Sequence, residues 1–409
     1  MAAMASRHQA GSRDTVGPVS PDQKPCDVAV IGGGLVGASL AYELVSRGLE
    51  VVLADRHHPG RATDAGAGIL SPETFLDPDD AWAELALAAG EHHRNLTRRV
   101  GEDGGAGGTG GAGGAGGTGH EVCGLIRLST SEGEDEWLEK AAQLAERRSP
   151  GVVSRIDPEE AVRLFPPLAS VRGALLNPRA ARIDGRRATG AIVDAAVSRG
   201  LRRLDGEVRS LELSGDRASG VTSDSWTISA GSVAIAGGAW SSQFAEQLRA
   251  DLPVGPMKGQ IIHMTLPGVD TSGWPIVQPM FSHYLVPWPD GRVACGGTLE
   301  ADAGFDVNPT AEGVHELLRE ALRTAPGLSK ATVSEIRVGL RPSSSDGRPL
   351  LGRLEDWSNV YVATGHGTEG LLLGPYTAAL VAESIVTGVV PALIEAISPG
   401  RFGRPSGHG

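Results

Sequence analysis

DVAVIGGGLVGASLAYELVSRGLEVVLADR, residues 27–56, reads as a strand, a glycine turn, a helix and a second strand. Strand character stops at Gly32-Gly33-Gly34, and apolar residues then recur at helical spacing through Val36, Leu40 and Leu44. Gly48 closes the helix, and Val51-Val52-Leu53 opens a buried parallel strand that ends in Asp55 and Arg56. Gly32 permits the tight turn, Gly34 lets backbone approach a pyrophosphate, and Gly37 lets the helix pack close to the strand. The helix N-terminus at Leu35 and Val36 faces the anion with unpaired N–H groups. Asp55, eighteen residues after Gly37, stands where an acid takes a ribose hydroxyl. A bound dinucleotide follows, of a kind that this stretch leaves open.

Composition narrows the class. At 409 residues the chain has room for two or three domains, and 40% hydrophobic content fits a soluble globular protein in which no transmembrane helix is needed. A net charge of −12 without a sustained basic face argues against nucleic acid as a partner. Cys26, Cys123 and Cys295 are odd in number and far apart, which fits neither a disulfide framework nor a zinc site. No metal is expected, and a reducing cytoplasm is the default.

Along the chain, residues 1–25 lack an apolar run and are expected to form a disordered leader. Residues 61–73, RATDAGAGILSPE, form a small-residue loop suited to close ligand approach, with an ordinary surface loop as the alternative. Residues 81–100 read as helical, and 104–119, almost pure Gly, Ala and Thr, as a mobile insertion. A strand at 124–128, a charged helix at 132–148 and a helix start at Asp157-Pro158 follow. A helix at 183–200 precedes a strand pair around 201–213 and 221–228, then a short strand at 232–236 that ends in Gly237-Gly238-Ala239-Trp240. The β-rich segments 260–265, 283–287 and 292–298 read as an antiparallel sheet inserted into the first fold. A helix at 309–324, strands at 334–341 and 360–363, and a last helix at about 370–387 complete the chain.

In this order the pieces resemble the D-amino-acid oxidase superfamily of flavoproteins, especially its glycine oxidase, sarcosine oxidase and D-amino-acid dehydrogenase branch. Eight motifs carry the resemblance across residues 27 to about 391. They are IGGGLVGASLA (31–41), AGAGILSP (65–72), VAIAGGAWS (233–241), MKGQ (257–260), YLVP (284–287), GRVACGGTLEADAGFD (291–306), VGLRPSSSDGRPLLG (338–352) and GHGTEGLLLGP (365–375). The resemblance implies an α/β plus α+β protein: a Rossmann-like FAD-binding domain with an inserted antiparallel-sheet substrate domain. The expected division assigns 26–80, 151–253 and 336–392 to the FAD domain, 81–150 and 254–335 to the substrate domain, and 393–409 to a flexible tail.

The same resemblance makes the dinucleotide FAD, bound noncovalently, because 342–352 lacks the cysteine through which sarcosine oxidases attach flavin. Asp55 replaces the more usual Glu, and either acid takes a ribose hydroxyl. Val208 would bond adenine through its backbone, while Ala67, Gly68 and Ile69 would lie along the pyrophosphate and flavin. Gly237 and Trp240 would bring a second strand-to-glycine turn to the cofactor. Gly365, His366, Gly367, Thr368, Gly370 and Leu371 would set N–H groups and a positive helix end near the flavin N1–C2=O edge. His366 reads as structural there, with proton transfer as the alternative.

The implied reaction is hydride transfer from a small amino acid (glycine, a D-amino acid or a related secondary amine) to flavin N5, giving an imine that water hydrolyses to an oxo acid. Arg341 in GLRP matches the family's substrate arginine, whose guanidinium forks a carboxylate. Tyr284 in YLVP matches the tyrosine that supports the substrate or closes the pocket. Strand alternation should turn His283 away from Tyr284. Lys258 lies near the cavity in relatives, and Trp288 replaces a residue that is often basic, altering the pocket rim or the loop alone. The electron acceptor would be oxygen or a quinone-type carrier, and homo-oligomerisation stays open. Two alternatives remain: a nicotinamide-dependent dehydrogenase, or a noncatalytic flavin-binding partner protein.

Overall fold

The computed structural model describes residues 24–103 and 117–402. The expected leader up to residue 23, the insertion at 104–116 and the tail at 403–409 lie outside the described residues. The first sheet is built on parallel strands β1 (Cys26–Ile31), β2 (Val51–Asp55), β9 (Arg202–Asp205), β12 (Thr227–Ile235) and β19 (Val360–Thr364). β1 lies between β12 and β2, β9 flanks β2, and β19 flanks β12. Antiparallel β18 (Leu350–Arg353) pairs with β19, and the hairpin β10 (Val208–Ser214) with β11 (Arg217–Ser223) pairs with the start of β12.

The apolar runs of β1 and β2 are buried on both faces, as parallel strands covered by helices must be. One face is covered by α1 (Leu35–Ser46), α2 (Asp80–Asp103), α4 (Gly185–Ser198) and α6 (Gly370–Thr387), whose apolar side chains share one core with Val28, Val30 and Leu53. By length and composition, residues 367–387 would suffice to cross a membrane, yet 61% of the apolar window is buried inside the protein, where α6 packs on α1 and α2.

The second sheet has eight strands in the order β17-β13-β16-β15-β14-β5-β7-β6. These are β5 (Leu125–Ser129), β6 (Ser154–Ile156), β7 (Gly173–Asn177), β13 (Val254–Thr265), β14 (Ile276–Pro279), β15 (Tyr284–Pro287), β16 (Arg292–Gly296) and β17 (Thr332–Ser344). All neighbours are antiparallel except β14 and β5, which run parallel. Alternate residues divide its faces. Ile126, Val277, Leu285, Val293 and Cys295 pack with Leu317 and Ala321 of α5 (Ala311–Thr324), whereas Leu125, Ile261, Ile276 and Val286 face Ala67 of the first unit. A small third sheet joins β3 (Ile69–Leu70), β8 (Ala181–Arg182) and β4 (Glu121–Val122), and α3 (Glu132–Arg148) packs on β5 and β7.

Two expectations need correction. Residues 154–177, expected in the FAD unit, supply β6 and β7 of the second sheet, and α2, expected in the substrate unit, packs on α4 and α6. The apolar stripe of α2, with Trp82, Leu85, Ala89, Leu96 and Val100 buried, reads locally as a helix but does not reveal which sheet it covers. The strand pair expected at 201–213 and 221–228 is four strands. Gly206 breaks β9 from β10, and a turn in which Ser223 Oγ accepts the N–H groups of Ser225 and Trp226 separates β11 from β12. The expected short strand at 232–236 is the end of β12.

β17 joins the two units. It pairs with β13 from Val254–Ser344 to Thr265–Thr332 and is also bridged to the first unit at Leu340–Arg61 and Ser343–His366. The N–H of Leu340 donates to the Gly60 carbonyl at 2.8 Å. Arg341 lies between these ties.

Candidate active site

A cavity of about 780 Å3 is lined by residues of both units. At one end lie the carboxyl ends of β1, β2 and β12 and the turns after them. Gly32 has φ +102°, and a Cβ there would stand 2.5 Å from the Ala236 carbonyl oxygen; at Gly37 it would stand 1.9 Å from the Gly32 carbonyl oxygen. Strand, turn and helix thus meet backbone to backbone. Thr63 Oγ1 accepts the first N–H of α1, from Leu35, at 3.1 Å. Asp55 Oδ2 accepts from Arg61 Nη1 at 2.8 Å. The His58 ring stacks on Trp240 with centroids 4.4 Å apart.

These features fit FAD. The glycine cradle and the α1 N-terminus would take the pyrophosphate, Asp55 a ribose hydroxyl, and Ala67 and Gly68 would leave room along the cofactor. None of the three cysteines lines the cavity. The turn before α6 presents His366, Gly367 and Thr368 to the cavity, and the first residues of α6 add Gly370 and Leu371. His366 is buried with Nε2 2.9 Å from Thr377 Oγ1, and burial pulls its pKa down to about 4. A neutral imidazole engaged by Thr377 favours the structural reading over proton transfer.

The other end is built from side chains of the second sheet. Arg341 Nη1 donates to the Thr298 carbonyl at 2.9 Å, and its Nη2 and the Tyr284 hydroxyl both flank Gly297, where a Cβ would stand 2.9 and 3.3 Å from them. Burial pushes the Tyr284 phenol up to about 12 against the opposing field of Arg341, so the hydroxyl keeps its proton at neutral pH. Glycines make the room: a Cβ on Gly259 would stand 2.0 Å from Arg341 Nη1, and one on Gly297 2.9 Å from Nη2. Register puts the important groups on one face. Arg127 pairs with Gln278, and the Val277–Leu285 pair brings Gln278 beside Tyr284. Tyr284 and Ile261 both pair with Gly296, and along β13 Met257 pairs with Arg341.

Most sequence-derived candidates line this one cavity: Gly32, Gly34, Leu35, Val36, Asp55, Arg56, Ala67, Gly68, Ile69, Val208, Gly237, Trp240, the five turn and helix residues above, Tyr284 and Arg341. Gly37 and Gly365 do not; they shape the backbone, Gly365 with φ +80°. Lys258 is buried away from the lining and bonds Asp306 at 2.7 Å. Trp288 is also off the rim, buried between the Arg182 and Arg292 guanidinium groups. His283 turns outward to Glu316 of α5, as strand alternation requires. Sequence reasoning missed Arg127, Gln278 and Glu369, which also line the cavity. The available signal for Arg127 was a single cation inside the apolar run LIRLS.

Residues 27–384 match the family described as FAD dependent oxidoreductase, DAO. The chain belongs to this family. FAD is its cofactor, and the protein is an enzyme, which sets aside both the nicotinamide and the noncatalytic alternatives. An uncharacterized oxidoreductase, YurR of Bacillus subtilis, is 32% identical over 360 residues, 87% of this chain and 94% of YurR. Iminodiacetate oxidase from Chelativorans sp. BNC1 is a structural neighbour of this DAO-family member at 37% identity and TM-score 0.83, covering 91% of this chain and 98% of that one. Glycine oxidase from Geobacillus kaustophilus follows at 27% identity and TM-score 0.82, covering 93% and 99%.

Proposed function

We propose that this enzyme oxidises the CH–NH bond of a small amino acid or secondary amine that carries a carboxylate. The observation that carries this reading is the Arg341–Tyr284 pair, which shares one cavity with the glycine cradle and sits on a sheet bridged to the His366 turn. Bound FAD supplies a two-electron acceptor, and water then hydrolyses the imine left on the substrate to an oxo acid. The remaining work is the chain's own. Arg341, one nitrogen of which holds the Thr298 carbonyl, would fork the substrate carboxylate with its remaining donors. Tyr284 would fix that guanidinium and stay protonated while doing so.

Relatives named for glycine and iminodiacetate oxidation support this substrate class. Oxygen or a quinone would reoxidise the enzyme, and a reducing cytoplasm suits its free thiols. The test is anaerobic mixing of the holoenzyme with glycine, sarcosine, D- and L-amino acids and cyclic imino acids, then admission of oxygen or quinone. At least one amine should bleach the flavin; if none does, the reading fails.

A further inference from the structure

Besides Arg56 and Arg61, which are paired with carboxylates near the glycine cradle, and Arg341, the cavity is lined by a further guanidinium, Arg127, that the reaction outlined above does not use. Arg127 is 6% exposed, yet it lines the cavity. Its Nη2 donates to the Thr74 carbonyl at 3.1 Å and to Gln278 Oε1 at 2.9 Å, both neutral acceptors. Its Nε is buried without a hydrogen-bond partner among the described residues. Glu369 supplies opposite charge nearby but makes no salt bridge to Arg127 among the described residues, and burial raises its pKa, which weakens it as a counter-ion. That Nε is shielded from the cavity, whereas Nη1 makes no hydrogen bond among the described residues and is not shielded, so Nη1 is the donor left for a ligand. Burial lowers its pKa to about 10, which still leaves a cation at neutral pH.

Arg127 also stands in register with the carboxylate clamp. Arg127, Gln278 and Tyr284 are successive neighbours on one face, so Arg127 is two strand spacings, about 10 Å of backbone, from Tyr284. Two long side chains directed into one cavity from such positions suit a short ligand with an anion at each end. We propose that Arg127 is a second carboxylate-binding residue and that the substrate is an amine bearing two carboxylates, one held by Arg341 and the other by Arg127. Two acetate arms on one nitrogen meet that description, and oxidation of one arm followed by hydrolysis gives glyoxylate and glycine. This inference rests on the amine-oxidation reading for its substrate, though not for its binding site.

The test separates the two. Binding to holoenzyme is read from perturbation of the flavin absorbance by oxydiacetate and by methoxyacetate, ethers that differ in the second carboxylate. Wild type should bind oxydiacetate about thirtyfold tighter, Arg127→Met should bring the ratio near one, and Arg127→Lys should restore part of it. In turnover, kcat/KM for iminodiacetate relative to sarcosine should fall about thirtyfold in Arg127→Met, mainly through KM. Equal binding of the two ethers by wild type overturns the proposal, whether or not Arg127→Met folds. Parallel loss for both amines in Arg127→Met overturns it as well. Failure of every amine to bleach the flavin, with the binding ratio intact, instead overturns the amine-oxidation reading and leaves the two-carboxylate site standing.

Discussion

At the cofactor end of the cavity the walls are backbone: Gly32, Gly37 and Gly68 bring main chain against main chain, with no room for a Cβ. At the proposed substrate end they are long side chains, Arg341, Tyr284 and Arg127, and the glycines there, Gly259 and Gly297, clear space for a guanidinium. The first arrangement suits a ligand that is the same throughout a family. The second can be retuned one side chain at a time, because a side chain changes without moving the chain that carries it.

The largest expected effect tests the side-chain end. Arg341→Ala should lower kcat/KM by about a thousandfold, roughly 4 kcal/mol, with flavin content intact. Unchanged steady-state kinetics would place carboxylate binding elsewhere. Next comes the backbone end. Gly37→Ala forces a Cβ onto the Gly32 carbonyl, and since neither partner can yield it should cost roughly 2–3 kcal/mol and release flavin during purification, seen as a lowered absorbance ratio. Full flavin retention would contradict a rigid cradle.

Acid should loosen the cofactor end. His366 and His93, the latter bonded through Nε2 to the carbonyls of Leu371 and Leu372, have pKa values lowered by burial to about 4 and about 3. Their unfolded counterparts titrate near 6.5. As pH falls below 6.5 the unfolded chain takes up protons that the folded chain refuses, so stability is lost, by roughly 1 kcal/mol for each imidazole at pH 5.5. Thermal midpoints between pH 7.5 and 5.5 should therefore fall, with flavin release, and a flat profile would refute the burial argument. The smallest effect returns to the substrate end. Gly259→Ala meets only the flexible tip of Arg341, so KM should rise about fivefold, roughly 1 kcal/mol, with flavin retention unaltered. Loss of flavin in this variant would erase the distinction between the two ends.

The same distinction explains what could be read in advance. The cradle occupies one continuous stretch, and glycine spacing between a strand and a helix is local chemistry. The substrate end gathers Arg127, Gln278, Tyr284 and Arg341 from distant parts of the chain, and only sheet register sets them on one face. Arg341 and Tyr284 were recognisable because they lie inside family motifs. Arg127 was not, since a lone arginine in a short strand has no local meaning until Gln278 lies beside it. The placement of α2 and of residues 154–177 was hidden for the same reason: an apolar stripe states that a helix is covered and leaves its partner unnamed.

β17 carries a consequence for how such an enzyme could diversify. Its two ties to the first unit, at Leu340 and Ser343, bracket Arg341 on a single length of backbone. A slip of one residue there would turn Arg341 to the opposite face and shift the hold on the His366 turn together. That strand therefore acts as a ruler on which Arg341 and the His366 turn are marked off, and side chains on β5, β14 and β15 can change without shifting it.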